Sequence, residues 1–273
     1  MIRLLLIDVD GTLVGQGARI HETVPGAFDR AREAGVTLAL CTGRPLFGIA
    51  TEYAKKVNPD GFHIFQNGAV ISRADGTIGR VQPISRASYT GMLQAARDVN
   101  TPLEVYTPEA LYLERHDDLT RRHEELLSLD ARIQPDLSGL PGDVVRLQWV
   151  VPEERLEEVQ GITTRFDDLQ LNHAGQMDMP GVVFASVTRK GTTKTSAAEW
   201  LAGTLGDNLE NVAMVGDGDG DRDLIGVAGL GIAMGNATEP VKAAAQIVVA
   251  RVDDGGLAEA VDRVLQANRG SQG

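Results

Sequence analysis

The sequence predicts an α/β protein: a doubly wound parallel sheet into which an α+β domain is inserted. Three observations carry this expectation. At both ends of the chain, short apolar runs alternate with amphipathic helical stretches, the pattern of strands buried on both faces under crossover helices. In the middle the strands become half-polar, which suits an antiparallel sheet covered on one face. The length, 273 residues, accommodates two domains at roughly 150 residues each.

Leu4-Leu5-Leu6-Ile7 reads as the first buried strand. Thr23 can cap a helix that places Ala27, Phe28 and Ala31 on one side and stops at Gly35. Residues 36–40 form a second buried strand, ended by Cys41-Thr42-Gly43-Arg44. From Pro45 a helix runs through Ile49, Tyr53 and Ala54 until Asn58-Pro59 halts it. Asn67-Gly68 and Asp75-Gly76 are hairpin dipeptides between short strands. The parallel-sheet core is expected over residues 1–82 and 187–273, and the insertion over 83–186. Within the insertion, two helices are expected at 85–99 and 152–164, with half-polar strands at 103–106 and 144–149. Pro135, Gly139, Pro141 and Gly142 mark a loop there. A strand at 182–187 leads to Lys190 and Lys194, at the start of a helix reaching Trp200. Strand and helix then alternate: strand 211–215, helix 221–227, strand 231–234, helix 237–245, strand 247–250, helix 257–267. Residues 268–273 are expected to fray.

Charge and motif content narrow the function. Lysine and arginine total 26 against 38 aspartates and glutamates, a net charge of −12. Such a chain repels nucleic acid and anionic lipid, so neither is an expected partner. A phosphorylated ligand would need a local positive site. The single cysteine, Cys41, excludes an intrachain disulfide and a cysteine-based zinc cluster, and it suits a reducing cytoplasm. Asp8 and Asp10 interrupt the first apolar run too early for a signal peptide, and no stretch approaches the ~18 apolar residues of a membrane span. A soluble, cytoplasmic protein is expected. The phosphate-binding G-x-x-x-x-G-K-[ST], the dinucleotide G-x-G-x-x-G, the hydrolase G-x-S-x-G and the zinc H-E-x-x-H patterns are all absent.

In open parallel sheets, ligands bind beyond the carboxyl ends of the strands. The first strand delivers Asp8, Asp10, Gly11 and Thr12 there, the second Thr42, Gly43 and Arg44, and a later one Asp217, Asp219, Asp221 and Asp223. Asp8 follows its apolar run with no spacer, which costs solvation unless something binds it. Carboxylates converging in this way call for a cation, and oxygen-only ligands favour a hard one, magnesium above all. The Asp-Gly run from Asp217 is not an EF-hand, because its sixth position is Arg222 and its twelfth Ala228. The preference of helix N-termini for acids accounts for Asp223.

Taken together, these residues resemble the haloacid dehalogenase-like superfamily of phosphohydrolases, and within it the Cof-like group, whose large α+β cap lies between the second and third motifs. The motifs occur in order: Asp8-Val9-Asp10-Gly11-Thr12, then Thr42 in C-T-G-R-P, Lys194 in K-G-T-T-K-T-S-A, and Asp217 with Asp221 in G-D-G-D-G-D. Asn67-Gly68-Ala69 and G-I-A-M-G-N-A-T-E-P-V-K, which contains Asn236, add to the likeness. The resemblance implies that Asp8 attacks phosphorus and that Asp10 is the general acid and base. Magnesium would be held by Asp8, the backbone carbonyl of Asp10 and Asp217, with Asp221 orienting, while Thr42, Gly43, Lys194 and Asn236 would hold the phosphate. It also implies a mobile cap that selects a small phosphorylated metabolite such as a sugar phosphate. One departure stands out: Gly220 occupies the place where the group usually has Asn. A phosphomutase and a catalytically weak metal-binding regulatory protein are the alternatives.

Overall fold

The structure, a computed structural model, describes residues 1–175 and 179–270. The chain opens with β1 (Leu4–Ile7), α1 (Val24–Glu33), β2 (Thr37–Leu40), α2 (Ile49–Val57), β3 (Phe62–Phe65), β4 (Val70–Arg73) and β5 (Ile78–Val81). Next come α3 (Arg86–Asp98), β6 (Glu104–Tyr106), β7 (Leu111–Leu113), α4 (Asp118–Leu127), β8 (Arg132–Ile133) and β9 (Arg146–Pro152). They are followed by α5 (Leu156–Thr163), β10 (Leu169–Gly175) and β11 (Val182–Arg189). The chain closes with α6 (Lys194–Thr204), β12 (Val212–Gly216), α7 (Arg222–Val227), β13 (Leu230–Ala233), α8 (Glu239–Ala244), β14 (Ile247–Val248) and α9 (Gly256–Gly270).

Two compact units result, one from Met1–Arg44, Glu52–Gly79 and Thr193–Gly273, the other from Pro45–Thr51 and Arg80–Thr192. The second unit therefore runs past the expected limit at residue 186. Its strand β11 continues to Arg189, which still pairs with Leu169 of β10. It also takes in Pro45–Thr51, where the Phe47 ring stacks on Tyr106 at 6.4 Å.

In the first unit, a parallel sheet has the order β14-β13-β12-β1-β2. All four residues of β1 are fully buried, as an unbroken apolar run requires. Leu4, Leu6, Ala39 and Met214 pack with Ala197 and Leu201 of α6, Leu224 and Ile225 of α7, and Val241 of α8. Helices α1 and α9 pack on each other and on β2 and β12 respectively. Register aligns the strand ends. Ile7 lies level with Leu40 of β2 and with Val215 of β12; β1 and β2 end there, and β12 runs one residue further, to Gly216. The Asn67-Gly68 dipeptide sits in a single 3-10 turn between antiparallel β3 and β4. Gly68, at φ +100°, admits no side chain, because a Cβ would strike the Thr193 carbonyl at the start of α6.

In the second unit, a sheet of order β10-β11-β9-β6-β7-β8 is antiparallel except where β7 meets β8. Val105, Leu147, Trp149, Val151, Ala185 and Val187 line one face beneath Tyr89, Met92 and Leu93 of α3 and Val159 and Ile162 of α5. A third helix, α4, corrects the expectation of two. Its sequence, DLTRRHEELL, has too thin an apolar stripe to announce a helix. What holds α4 is a reciprocal cap between Asp117 and Thr120, and Leu119 and Leu126 packing near Val150 and Val182.

The closing helix also outlasts its expected end. Asn268 accepts from the Ile2 backbone N–H at 2.6 Å and donates to the Ile2 carbonyl at 2.8 Å, which fastens the last turn. The rest of the stretch expected to fray, Ser271–Gly273, lies outside the described residues. Among the described residues, no helix is long and apolar enough to cross a membrane.

Candidate active site

Asp8, Asp10, Arg44, Lys194, Asp217 and Asp221, at the carboxyl end of the parallel sheet, belong to the first unit. Asp8 is the first residue beyond β1, and its backbone N–H donates to the Val215 carbonyl of β12 at 3.0 Å. Its side chain is buried. The Lys194 Nζ donates to Asp8 Oδ1 at 2.7 Å and to Asp221 Oδ1 at 2.6 Å. Lys194 is the first residue of α6, presented there by the Thr193–Ser196 capping box. Asp221 immediately precedes α7, and its other oxygen accepts from the Gly218 N–H at 3.1 Å. Asp217 completes the group. Its carboxylate accepts from the Thr12 hydroxyl at 3.1 Å and the Asn236 amide at 3.1 Å. Gly11 must be glycine here, since at φ +77° a Cβ would run into the Asp217 carboxylate.

Carboxylate oxygens of Asp8, Asp217 and Asp221 lie within 4.8 Å of one another. Burial, then repulsion from Asp221, pushes the Asp8 pKa well above the usual carboxylate range, although Lys194 pulls the other way. Burial and Asp221 likewise raise Asp217 to about 6. Burial alone would lower the Lys194 pKa, but Asp221 and Asp8 outweigh it and keep the ammonium charged. With all three carboxylates ionised, the one ammonium leaves two negative charges to be balanced.

The second strand end supplies neutral and positive groups. Cys41 is buried, and its thiol pKa is raised, by burial before any other cause. The Thr42 hydroxyl, also buried, accepts from the Arg44 N–H at 3.1 Å, which leaves its own proton to donate elsewhere. A Cβ on Gly43 would lie 3.0 Å from Asn67 Oδ1, so the two loops approach closely. Arg44 reaches back to Asp10 with both arms of its fork: Nε to Oδ2 at 2.8 Å and Nη2 to Oδ1 at 2.7 Å.

A family model described as haloacid dehalogenase-like hydrolase matches residues 5–261. The chain belongs to this family. Phosphatase YwpJ of Bacillus subtilis is 26% identical over 97% of this chain and 100% of its own length. The HMP-PP phosphatase of Cronobacter sakazakii is 26% identical over 87% of this chain and 85% of its own length. A crystal structure of a haloacid dehalogenase-like hydrolase from Bacteroides thetaiotaomicron superposes with a TM-score of 0.84, at 26% identity, over 97% of this chain and 100% of that one.

Within this haloacid dehalogenase-like hydrolase, the expected site residues fall into two groups. Asp8, Asp217, Asp221 and Lys194 meet directly. The Asp10 side chain does not join them; it is 57% exposed and held by Arg44. Asn236 sits differently from the phosphate-holding role that the resemblance implies. Its amide nitrogen donates to the Gly11 carbonyl at 2.8 Å and to Asp217, and its oxygen accepts from the Val252 N–H at 2.9 Å. It thus ties three loops together. Lys190 is exposed and belongs to the second unit, and Asp223 is exposed on α7. The sequence placed Arg44 and Thr12 at strand ends but gave neither a partner. Arg44 lies 34 positions from Asp10 and Thr12 lies 205 from Asp217, and no local pattern reports such contacts.

The donor set fits a hard divalent cation. It is all oxygen, tightly gathered, and short of two positive charges.

Proposed function

We propose that this hydrolase is a magnesium-dependent phosphatase of small phosphorylated metabolites, sugar-phosphate-like monoesters among them, acting through an aspartyl-phosphate on Asp8. The observation that carries the reading is the buried Asp8–Lys194–Asp221 bridge with Asp217 beside it. A buried carboxylate with a raised pKa becomes a nucleophile only if its charge is stabilised. Asp8 and Asp217 would hold the cation, with Asp221 behind. Bound magnesium supplies charge neutralisation between carboxylate and phosphate and polarises the phosphoryl group.

The remaining steps use the chain's own residues. An Asp8 carboxylate oxygen bonds to phosphorus as the ester P–O bond breaks. Asp10 gives its proton to the departing alkoxide, then takes one from water, whose oxygen attacks phosphorus and frees phosphate and Asp8. The Lys194 ammonium and the Thr42 hydroxyl donate to the phosphoryl oxygens on which transition-state charge spreads. Only together with a bound divalent cation would Lys194 offset the repulsion that its three carboxylate neighbours and a net charge of −12 impose on a phosphate ester.

The test is inorganic phosphate release from a panel of phosphorylated metabolites and p-nitrophenyl phosphate, with magnesium or with a chelator. Turnover is expected only with the metal, and Asp8→Asn should abolish it while leaving the fold intact or slightly more stable, since one repelling charge is gone. Activity of Asp8→Asn within a few-fold of wild type sinks the nucleophile assignment. A need for a bisphosphate activator would point to a phosphomutase instead.

A further inference from the structure

Arg44 takes no part in these chemical steps, yet it makes the most directed charge contact at the sheet's edge. Both oxygens of Asp10 are engaged, at 2.8 and 2.7 Å, by two different nitrogens of one planar fork. Arg44 is itself fixed. Its N–H donates to Thr42 Oγ1 at 3.1 Å, its carbonyl accepts from the Gln66 N–H at 3.0 Å, and its side chain is only 18% exposed. Stability does not explain the pair. The Asp10 side chain is 57% exposed, and ion pairs open to water in this way contribute little to stability.

What the fork does supply is direction. A general acid must sit within hydrogen-bond reach of the oxygen it protonates, and a half-exposed aspartate on a loop otherwise turns freely about its side-chain bonds. The carboxyl oxygens offer about four lone-pair sites, and the bidentate contact takes one on each, so one on each remains to carry the proton that Asp10 hands to the leaving group. We propose that Arg44 is a positioning residue for Asp10, its guanidinium fork fixing where the carboxyl group meets the leaving-group oxygen. This rests on the phosphatase reading and on Asp10 as its acid.

The role makes a demand that a merely structural residue does not. Protonation matters for an alkoxide leaving group and hardly at all for p-nitrophenolate, which departs as a stable anion. The first phosphoryl transfer is isolated by kcat/KM, measured with magnesium for p-nitrophenyl phosphate and for the alkyl phosphate that wild type hydrolyses fastest. Arg44→Met should lower kcat/KM for the alkyl ester by about 100-fold, the low end of general-acid effects, and change the aryl ester by no more than about threefold. Asp10→Asn should show the same selectivity. Arg44→Lys keeps the charge but offers a point and not a fork, so it should fall between wild type and Arg44→Met. If Arg44→Met does not fold, Arg44→Lys carries the test, with an aryl-to-alkyl ratio raised at least about tenfold. Equal losses on both esters, or an unchanged ratio, overturn the proposal and leave the phosphatase reading standing. A wild type inactive on every alkyl ester overturns both.

Discussion

Lys194 decides the electrostatics of the site, because among the described residues it is the cation that pairs with both Asp8 and Asp221. Replacing it with Met should cost about 10²–10³-fold or more in kcat, the loss expected of one preorganised donor to developing charge. Lys190→Met should cost little, since that side chain is exposed and outside the cluster. Steady-state rates on one substrate settle the ranking, and the reverse order means the third motif lies elsewhere. Asp217 gives a second prediction. Its folded pKa is about 6, against about 3.9 for an unperturbed aspartate. The native state therefore binds the extra proton, and that contribution to stability is full below about pH 4 and lost as pH rises through about 6. A cation competes with the same proton, so the rise in Tm on adding magnesium should be small at pH 5 and larger at pH 7.5. A shift that shrinks with rising pH counts against Asp217 as a ligand. Asp8 was legible in the sequence because a charge directly after four apolar residues has to be satisfied somewhere. The Arg44–Asp10 pair was not, because contacts across loops leave no periodic trace.

Loops, not strands, carry the site's chemistry, and their mutual bracing is visible at Asn236. One amide holds the Gly11 carbonyl, the Asp217 carboxylate and the Val252 N–H, joining the loops after β1 and β12 to the turn before α9. Asn236→Ala should weaken magnesium binding, measured by calorimetry, by about 10–100-fold, the usual cost of removing a group that orients a ligand. Asn236→Asp would put a charge against Asp217 and should do at least as much harm. An affinity unchanged in Asn236→Ala would mean Thr12 alone fixes Asp217. In the same loop as Asp217, Gly220 stands where the Cof-like group usually has Asn, and a Cβ there meets no other atom within 4 Å. Gly220→Asn should therefore fold normally, with Tm unchanged or slightly raised by the loss of chain freedom in the unfolded state. A clear fall in Tm would show that the loop needs glycine after all. The strands of the parallel sheet were legible because β1 and β12 are buried on both faces and read as plain apolar runs. Helix α4 escaped notice for the opposite reason: its apolar side is thin, little more than Leu119, Leu126 and Leu127, and its capping pair, Asp117 and Thr120, matches no Glu or Gln capping box.

For the whole molecule, the consequential fact is that two large apolar clusters among the described residues each lie within one compact unit. The cluster around Trp149, Leu147 and Val105 is filled by α3, α5 and the antiparallel strands, with every member between Ile84 and Val187. The cluster around Leu4, Leu6 and Met214 is filled by β1, β2, β12 and α6 to α8, with members from both ends of the chain. The inserted segment, Arg80–Thr192, has the length of an ordinary domain, while the flanking unit must bring together residues more than a hundred positions apart. We expect a fragment of residues 80–192 to fold alone, with a cooperative melt and dispersed amide resonances. It should be less stable than the intact chain, since it lacks Phe47, whose ring stacks on the buried Tyr106. Supplying residues 45–51 as a peptide should restore part of that loss if the ring contact is what is missing. The reciprocal excision, joining residue 79 to residue 193 by a short flexible linker, should leave a core that binds magnesium, because Asp8, Lys194, Asp217 and Asp221 all lie within the first unit. If the insertion chooses the substrate, as the resemblance implies, the excised enzyme should also discriminate poorly among small phosphate esters. A fragment that stays unfolded with and without the peptide would mean that the cluster around Trp149 cannot hold its sheet by itself, and that the insertion is not an independent folding unit.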